Sequence, residues 1–193
     1  MSNDFFALVA RMKYIYRWAL MRNTEKESLS QHSHEVAVIA HALAVISNKR
    51  LGTNFDASKA ALIGLFHDTA EILTGDMPTP VKYYSPEILG AFKKVEEVAT
   101  DKVLGMLPDD LRSEYENLFY ASEEDAPVWR LVKAADKLSA LIKCIEEEKA
   151  GNCEFSKARE ATEKSLQEMN CEAAEIFIRE FLPGYSLTLD QLK

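Results

Sequence analysis

The stretch LFHDTAEILTGDMPTPVKYY, residues 65–84, has the apolar content of a buried helix, yet it carries four ionisable side chains close together. His67, Asp68, Glu71 and Asp76 lie within ten positions of a segment otherwise rich in leucine, alanine and isoleucine. Groups that bind protons or metal ions are costly to bury without a partner. The stretch therefore predicts a helical core built around a polar site, whose partners must come from elsewhere in the chain.

The composition predicts a single compact all-α domain that spans residues 1–193. The chain is long enough to bury a core of its own, and its 47% hydrophobic and 28% charged residues are usual for a globular protein. It contains only seven glycines and six prolines, whereas all-β folds need many turns. Helices are therefore favoured over strands.

Helical periodicity recurs along the chain and sets the expected bounds of the helices. Ser30 and Asp56 are the expected N-caps of the second and third helices. Pro78 and Pro80 predict a loop over residues 75–80, because proline cannot continue a helix. The expected helices cover about residues 4–20, 31–49, 57–71, 86–106, a shorter segment after Pro108, 127–151, and 154–181 before Pro183.

The charge balance argues against a polymeric nucleic acid as partner. The chain has 23 lysines and arginines against 31 acidic residues, a net charge of −8. Binding to DNA or RNA depends on clustered basic residues that neutralise phosphates. An anionic substrate must therefore meet a local positive site, which a bound metal ion can supply.

The cysteines and the N-terminal segment predict a cytoplasmic protein. Cys144, Cys153 and Cys171 are odd in number and form no CxxC pair, which argues against a disulfide framework and a thiolate zinc site. Residues 1–23 are amphipathic and carry basic residues within the apolar run. They have neither the unbroken apolar region of a signal peptide nor the length of a membrane span.

His32 is expected in the middle of an apolar helical stripe. At about 100° per residue, Val36, Ile39 and Leu43 fall within about 40° of it. His34 and His41 fall on the opposite side of the helix. They are expected to be surface residues or to contact the ligands without binding the metal ion themselves. A buried histidine that is hydrogen-bonded to a neighbour is the plain alternative to a metal ligand.

The third helix places three ionisable groups in one sector. With His67 at zero, Glu71 lies near 40° and Asp68 near 100°, a spread of about one residue step. Ala60 and Gly64 share this face and are too small to cover them. A solvated polar edge is the alternative, and it explains the two carboxylates better than the histidine.

Asp136 lies at the edge of an apolar stripe on the helix that begins at Pro127. A salt bridge to Lys133 or Lys137 would be sufficient reason for an isolated aspartate there. Together, however, two imidazoles and two carboxylates are a good ligand set for a divalent cation such as Mn²⁺, Co²⁺, Fe²⁺, Zn²⁺ or Mg²⁺. The predicted metal ligands are His32, His67, Asp68 and Asp136.

The order of these four residues resembles the H…HD…D pattern of the HD-domain phosphohydrolases. Their surroundings are more specific and are similar to the bacterial YfbR-type 5′-deoxynucleotidases over essentially the whole chain. The resemblance implies a dimeric, metal-dependent, all-α HD-domain bundle that dephosphorylates deoxyribonucleoside 5′-monophosphates with Co²⁺, Mn²⁺ or a similar ion. The segments that carry it are YRWALMRN (16–23), LSQHSHEVA (29–37), HDTAEILTGDMPTPVKY (67–83) and KAADKLSALIKC (133–144).

The resemblance also implies roles for single residues. Glu71 would orient or deprotonate the attacking water, and Arg17 would orient the phosphate. Trp18 would lie beside the sugar, where a tight fit disfavours a 2′-hydroxyl, and Asp76 would accept a hydrogen bond from the 3′-hydroxyl. The substrate-binding residues so implied are Arg17, Trp18, His32, Asp68, Asp76, Met77, Pro78 and Thr79.

Two other functions remain open at the level of sequence. The same site could hydrolyse another nucleotide, such as a deoxynucleoside triphosphate, a cyclic nucleotide or an alarmone. The chain could also be a non-catalytic nucleotide-binding module with a structural metal. Glu71 favours catalysis, because a structural site needs no spare carboxylate beside an open coordination position.

Overall fold

The computed structural model describes residues 3–192, and the regular secondary structure within them is helical, which confirms the all-α prediction. Short 3₁₀ turns cover Ala10–Tyr14, Cys153–Phe155, Leu182–Ser186 and Leu189–Gln191. The α-helices are α1 (Phe5–Val9), α2 (Leu29–Arg50), α3 (Ala57–Phe66), α4 (Glu71–Thr74), α5 (Thr79–Lys82), α6 (Pro86–Leu104), α7 (Asp109–Phe119), α8 (Ala126–Lys149), α9 (Ser156–Glu168) and α10 (Glu172–Glu180).

The first expected helix is wrong beyond Tyr14. Ile15 is extended, and its carbonyl accepts the backbone N–H of Leu29. The N–H of Arg17 donates in turn to the carbonyl of Glu27. Residues 15–17 therefore pair like a strand with the residues ahead of α2, and this pairing replaces the helical hydrogen bonds that residues 15–20 would otherwise make.

Helix α2 begins two residues earlier than expected, because Ser28 and not Ser30 is its N-cap. The Ser28 hydroxyl accepts from the backbone of Gln31, and the Gln31 side chain accepts from the backbone N–H of Ser28. Such a reciprocal capping box satisfies two backbone donors that would otherwise lack partners. The Asp56 cap of α3 is found as expected, with its carboxylate accepting from Lys59.

The last expected helix is divided into α9 and α10. The break lies at Asn170, whose φ is +47°, and at the extended Cys171. Arg130 from α8 donates to the carbonyls of Met169 and Asn170, so the end of α9 has partners outside its own helix. The interruption depends on this tertiary contact, which periodicity does not reveal.

The expected loop over residues 75–80 is also shorter than predicted. Thr79 and Pro80 begin α5, where proline is tolerated because the first-turn N–H groups have no helical acceptor. Apart from the end of α3, the other bounds differ from expectation by about two residues, the usual uncertainty of helix ends. None of the helices within residues 3–192 has the length and apolar composition of a membrane span.

Helices α2, α3 and α8 pack together around the main core. Gly64 on α3 allows an unusually close approach to α2, because an added Cβ would lie 2.9 Å from the Cα of Ala37. A second apolar cluster joins α1 to the end of α6. The close contact between α2 and α3 brings together the two predicted histidine ligands, His32 on α2 and His67 at the end of α3.

Candidate active site

The structure brings the four predicted metal ligands together where α2, α3 and α8 meet. The Nε2 atom of His32 lies 3.4 Å from Oδ2 of Asp68 and 3.2 Å from Oδ1 of Asp136. The Nε2 atom of His67 lies 3.0 Å from the same Asp68 oxygen. One atom each of His32, His67 and Asp68 lie within 4.8 Å of one another. Three distant segments thus converge on one point.

The turn after α3 creates this geometry, and the expectation of one helix to residue 71 is wrong. The backbone N–H of Thr69 donates to Phe66, and that of Glu71 donates to Asp68, so the chain turns more tightly than an α-helix before α4 begins. This turn directs Asp68 toward His67 and His32. The angles expected from a continuous helix therefore do not describe the site.

The hydrogen bonds of His67 leave one nitrogen free for a ligand. Its Nδ1 lies 2.7 Å from the carbonyl oxygen of Gly64, which can only accept, so Nδ1 carries the proton. In the neutral imidazole, the Nε2 atom then presents a lone pair toward Asp68 that a proton or a metal ion can bind. Such backbone-held imidazoles are typical of metal ligands.

The buried nitrogens of the two histidines fit a metal ion. Within residues 3–192, Nε2 of His32 and Nε2 of His67 are buried and have no partner of hydrogen-bonding geometry. Both atoms are adjacent to the carboxylates of Asp68 and Asp136. Two imidazole nitrogens and two carboxylate oxygens are the mixed donor set that divalent cations accept.

The pKa values in the cluster show how strongly it favours positive charge at its centre. Burial alone would lower the pKa of His67, but the negative charge of Asp68 raises it to about 9. Burial would raise the pKa of Asp68, whereas the charge of His67 and contact with His32 lower it well below the ordinary value. Contact with His32 likewise overcomes burial and lowers the pKa of Asp136.

Glu71 lies beside the cluster without belonging to it. It is buried, and its Oε2 atom has no hydrogen-bond partner within the described residues. Burial raises its pKa to about 9, and the negative charges of Asp68 and Asp76 act in the same direction. A cation near Asp68 would oppose this effect and favour the carboxylate.

Arg17 and Trp18 lie in the irregular segment before α2, and one carboxylate fixes both. Glu27 Oε2 accepts from Nη1 of Arg17 at 2.9 Å and from Nε1 of Trp18 at 2.8 Å. Trp18 has a φ of +61°, which is rare for a large side chain, and its ring packs against Phe155 at 5.3 Å. Arg17 also lies 3.9 Å from Asp136, at the edge of the cluster.

A cavity of about 880 Å³ opens beside these residues and contains the rest of the predicted site. Its wall includes the predicted nucleoside pocket, contributed by the segment around α5, and small residues of α9. Burial raises the pKa of Asp76, while the charge of Arg17 opposes this. The predicted residues in the wall are Arg17, Trp18, Asp68, Glu71, Asp76, Met77, Pro78, Thr79 and Asp136.

Sequence reasoning missed several residues that hold the site. Glu27 was missed because it precedes α2 in an irregular segment, where periodicity gives no signal. Glu35 and Ser139 could have been found, since each lies three residues, about one helical turn, after a predicted ligand. The alternative salt bridge, from Asp136 to Lys133 or Lys137 of α8, is absent from the described residues. Among the lysines and arginines there, the one that pairs with Asp136 is Arg17, at 3.9 Å.

Comparison with known proteins finds a family model and a curated relative that each match nearly the whole chain. A model of the family described as 5′-deoxynucleotidase YfbR-like matches residues 4–185. A 5′-deoxynucleotidase from Shewanella oneidensis is 45% identical over 190 residues, which cover 98% of this chain and 97% of that protein.

Two solved structures are similar in fold. An HD-domain phosphohydrolase from Listeria innocua has a TM-score of 0.82 at 23% identity, with 94% of this chain and 88% of that one covered. An HD phosphohydrolase of cyanophage S-2L, bound to dA and one catalytic Zn²⁺ ion, has a TM-score of 0.65 at 18% identity, with 94% and 96% covered. At these identities the two structures establish a shared HD-domain fold.

Proposed function

The chain belongs to the YfbR-like 5′-deoxynucleotidase family, and from this premise we propose that it hydrolyses deoxyribonucleoside 5′-monophosphates to deoxynucleosides and phosphate. It is a phosphoric monoester hydrolase that depends on a divalent metal ion. The observation that carries the proposal is the pair of buried Nε2 atoms of His32 and His67, which have no hydrogen-bond partner within residues 3–192. They lie beside Asp68 and Asp136, two aspartates that line the same cavity as Arg17.

We propose that His32, His67, Asp68 and Asp136 hold the metal ion. When bound, the ion supplies positive charge for the phosphate and lowers the pKa of a coordinated water. Without it, the cavity wall presents five carboxylates to an anionic substrate, those of Asp68, Glu71, Asp76, Asp136 and Glu154. Mixed nitrogen and oxygen donors suit Co²⁺ or Mn²⁺.

Two side chains of the protein act on the reacting group. Arg17 offers a planar fork of N–H donors that matches phosphate oxygens, and Glu27 already fixes its direction. Glu71 accepts a proton from the water whose oxygen bonds to phosphorus. As that bond forms, the bond from phosphorus to the 5′ oxygen breaks, and this oxygen takes a proton from solvent water and leaves as the sugar hydroxyl.

Selection of the deoxyribose depends on Trp18 and Asp76. The hydrogen bond to Glu27 and the contact with Phe155 hold the indole of Trp18 in the cavity wall. We propose that the indole lies beside the sugar there and disfavours a 2′-hydroxyl. Asp76 accepts from the 3′-hydroxyl. Met77, Pro78 and Thr79 complete the nucleoside pocket on the same side.

We also propose that the protein is a cytoplasmic homodimer. Ile88, Val95 and Val98 form an exposed apolar stripe on α6 that a second copy could cover. The three cysteines are all free thiols, which suits a reducing compartment. Light scattering coupled to size-exclusion chromatography would measure about twice the 21.8 kDa chain mass for the dimer; a monomer would contradict the proposal.

Phosphate release from dAMP, AMP and dATP tests the proposed reaction. The protein is stripped with a chelator and assayed with added Co²⁺ or Mn²⁺, and the chelated protein is the control. We expect release from dAMP that requires the metal and exceeds release from AMP. Phosphate release from dATP but not from dAMP would contradict the proposed substrate class. Binding of dAMP without release of phosphate would support a non-catalytic nucleotide-binding module.

A further inference from the structure

The outer nitrogen of His32 lies within hydrogen-bonding distance of two groups that make opposite demands on it. Nδ1 is 2.8 Å from Nη1 of Arg17 and 3.0 Å from Oγ of Ser139. The guanidinium can only donate, so a hydrogen bond from Arg17 requires an unprotonated Nδ1. The hydroxyl can donate or accept, and therefore permits a protonated Nδ1 as well.

A carboxylate determines the direction of the Ser139 hydroxyl. Oγ of Ser139 donates to Oε2 of Glu35 at 2.6 Å, a short hydrogen bond of the charge-assisted kind. Because the single hydroxyl proton lies on the Glu35 side, Oγ presents a lone pair to Nδ1 of His32. His32 and Ser139 are both 0% exposed, so water does not compete for these contacts.

The two arrangements differ in what they allow at the other face of the imidazole. If Nδ1 accepts from Arg17, the neutral ring carries its proton on Nε2, and that nitrogen cannot bind a metal ion. If Nδ1 donates to Ser139, Nε2 is free to bind a cation beside Asp68 and Asp136. Arg17 then has no acceptor on His32, and its Nη1, which still donates to Glu27, has its second N–H available to a phosphate.

We propose that Glu35 and Ser139 are positioning residues, which hold His32 in the tautomer with a protonated Nδ1 so that its Nε2 can bind the metal ion and Arg17 can bind the phosphate. This inference depends on the proposed metal centre. It adds to that centre a hydrogen-bond chain that runs from the partly buried Glu35 on α2 through Ser139 on α8 to His32. Glu35 and Ser139 belong neither to the proposed ligand set nor to the substrate pocket.

Metal affinity of the stripped protein tests the proposal without reference to activity. Ser139→Ala removes the acceptor for Nδ1, and we expect the Kd for Mn²⁺ or Zn²⁺, measured by competition with a coloured chelator, to rise about 10- to 100-fold. Ser33→Ala is the matched control, since it deletes another buried hydroxyl next to His32 that has no partner within the described residues. It should leave the Kd unchanged.

Glu35→Ala serves if Ser139→Ala does not fold, because Glu35 is only partly buried. It frees the Ser139 hydroxyl to turn toward Nδ1, and we expect the Kd to rise at least several-fold. The Nδ1–H and Nε2–H tautomers are distinguished by ¹⁵N NMR of labelled histidine in the metal-free protein. We expect Nδ1–H for His32 in the wild type and Nε2–H in Glu35→Ala.

The outcomes separate this inference from the function on which it depends. If the wild type binds no metal ion, the proposed centre itself is wrong. If the wild type binds the ion and Ser139→Ala binds it as tightly as Ser33→Ala does, only the positioning role is overturned. A protonated Nε2 on His32 in the wild-type protein would overturn it equally.

Discussion

At the scale of single residues, Asp136 and Glu71 have different proposed roles: Asp136 binds the metal ion, and Glu71 accepts the proton of the attacking water. Asp136→Asn keeps the shape of the side chain but removes the charge that faces Nε2 of His32 at 3.2 Å. We expect its affinity for Mn²⁺ to fall by more than about tenfold. Asp110→Asn, on the exposed side of α7, is the control. Equal affinities in the two variants would contradict the place of Asp136 among the ligands.

Glu71→Ala should have the opposite phenotype. Glu71 is adjacent to the cluster but is not one of the four converging groups. We therefore expect the variant to retain its metal ion while kcat for dAMP falls about 10²- to 10⁴-fold, the range for loss of a general base. Metal analysis and a phosphate-release assay on the same sample measure the metal content and kcat. A variant with wild-type turnover would remove the proposed proton transfer.

Glu27 joins Arg17, the proposed phosphate-binding residue, to Trp18, the proposed sugar-selecting residue, because one oxygen of Glu27 accepts from both. In Glu27→Gln the charge that attracts the guanidinium is lost. We expect kcat/KM for dAMP to fall about tenfold, equivalent to about 1.4 kcal/mol, and the preference for dAMP over AMP to narrow. Glu25→Gln makes the same chemical change two residues away on an exposed side chain and should leave both values unaltered.

At the scale of helices, the site depends on how closely α3 approaches α2. The Cβ of Gly64→Ala would lie 2.9 Å from the Cα of Ala37 and 3.0 Å from its nitrogen, so one helix must move. Overpacking of this kind costs about 1–3 kcal/mol. We expect urea denaturation to show this loss, with weaker metal binding, because the shift separates His67 from His32.

Gly90→Ala is the matched control for that prediction. Gly90 lies within α6, and an added Cβ there meets no atom within 4 Å. Alanine has the higher helix propensity, so this variant should gain up to about 1 kcal/mol. If Gly64→Ala is as stable as Gly90→Ala, close packing of the two helices is not what positions the histidines.

The helices also show how much could be predicted from the sequence. The periodicity of α2, α6 and α8 was sufficient to predict the all-α fold, and the order of the four predicted ligands was sufficient to predict that their segments converge. The points at which the expected helices are interrupted could not be predicted from periodicity. Residues 67–71 have good helix-forming neighbours, so the local sequence gives no signal of the tight turn that the backbone makes there. Arg17 and Trp18 likewise leave the helix because residues 15–17 pair with those ahead of α2.

At the scale of the whole molecule, Glu147 connects the segment that carries Arg17 and Trp18 to the helix that carries Asp136. Its carboxylate, 2% exposed, accepts from the backbone of Thr24 and Glu25 and from the side chains of Lys143 and Asn152. Burial would raise the pKa of Glu147, but these donors, Lys143 foremost, lower it to about 2 from an ordinary 4.5.

This lowered pKa makes stability depend on acidity in a defined window. The unfolded chain takes up a proton at Glu147 near pH 4.5, whereas the folded chain does not until about pH 2. The stabilisation is therefore complete above about pH 4.5 and is lost as the pH falls toward 2, at no more than about 1.4 kcal/mol per pH unit. Urea denaturation from pH 6 to pH 3 should show Glu147→Gln losing its disadvantage relative to wild type as the pH falls. Glu160→Gln, exposed on α9, should differ from wild type by the same small amount throughout. A constant difference for Glu147→Gln as well would mean that the charge of this carboxylate does not hold the segment of Arg17 and Trp18 in place.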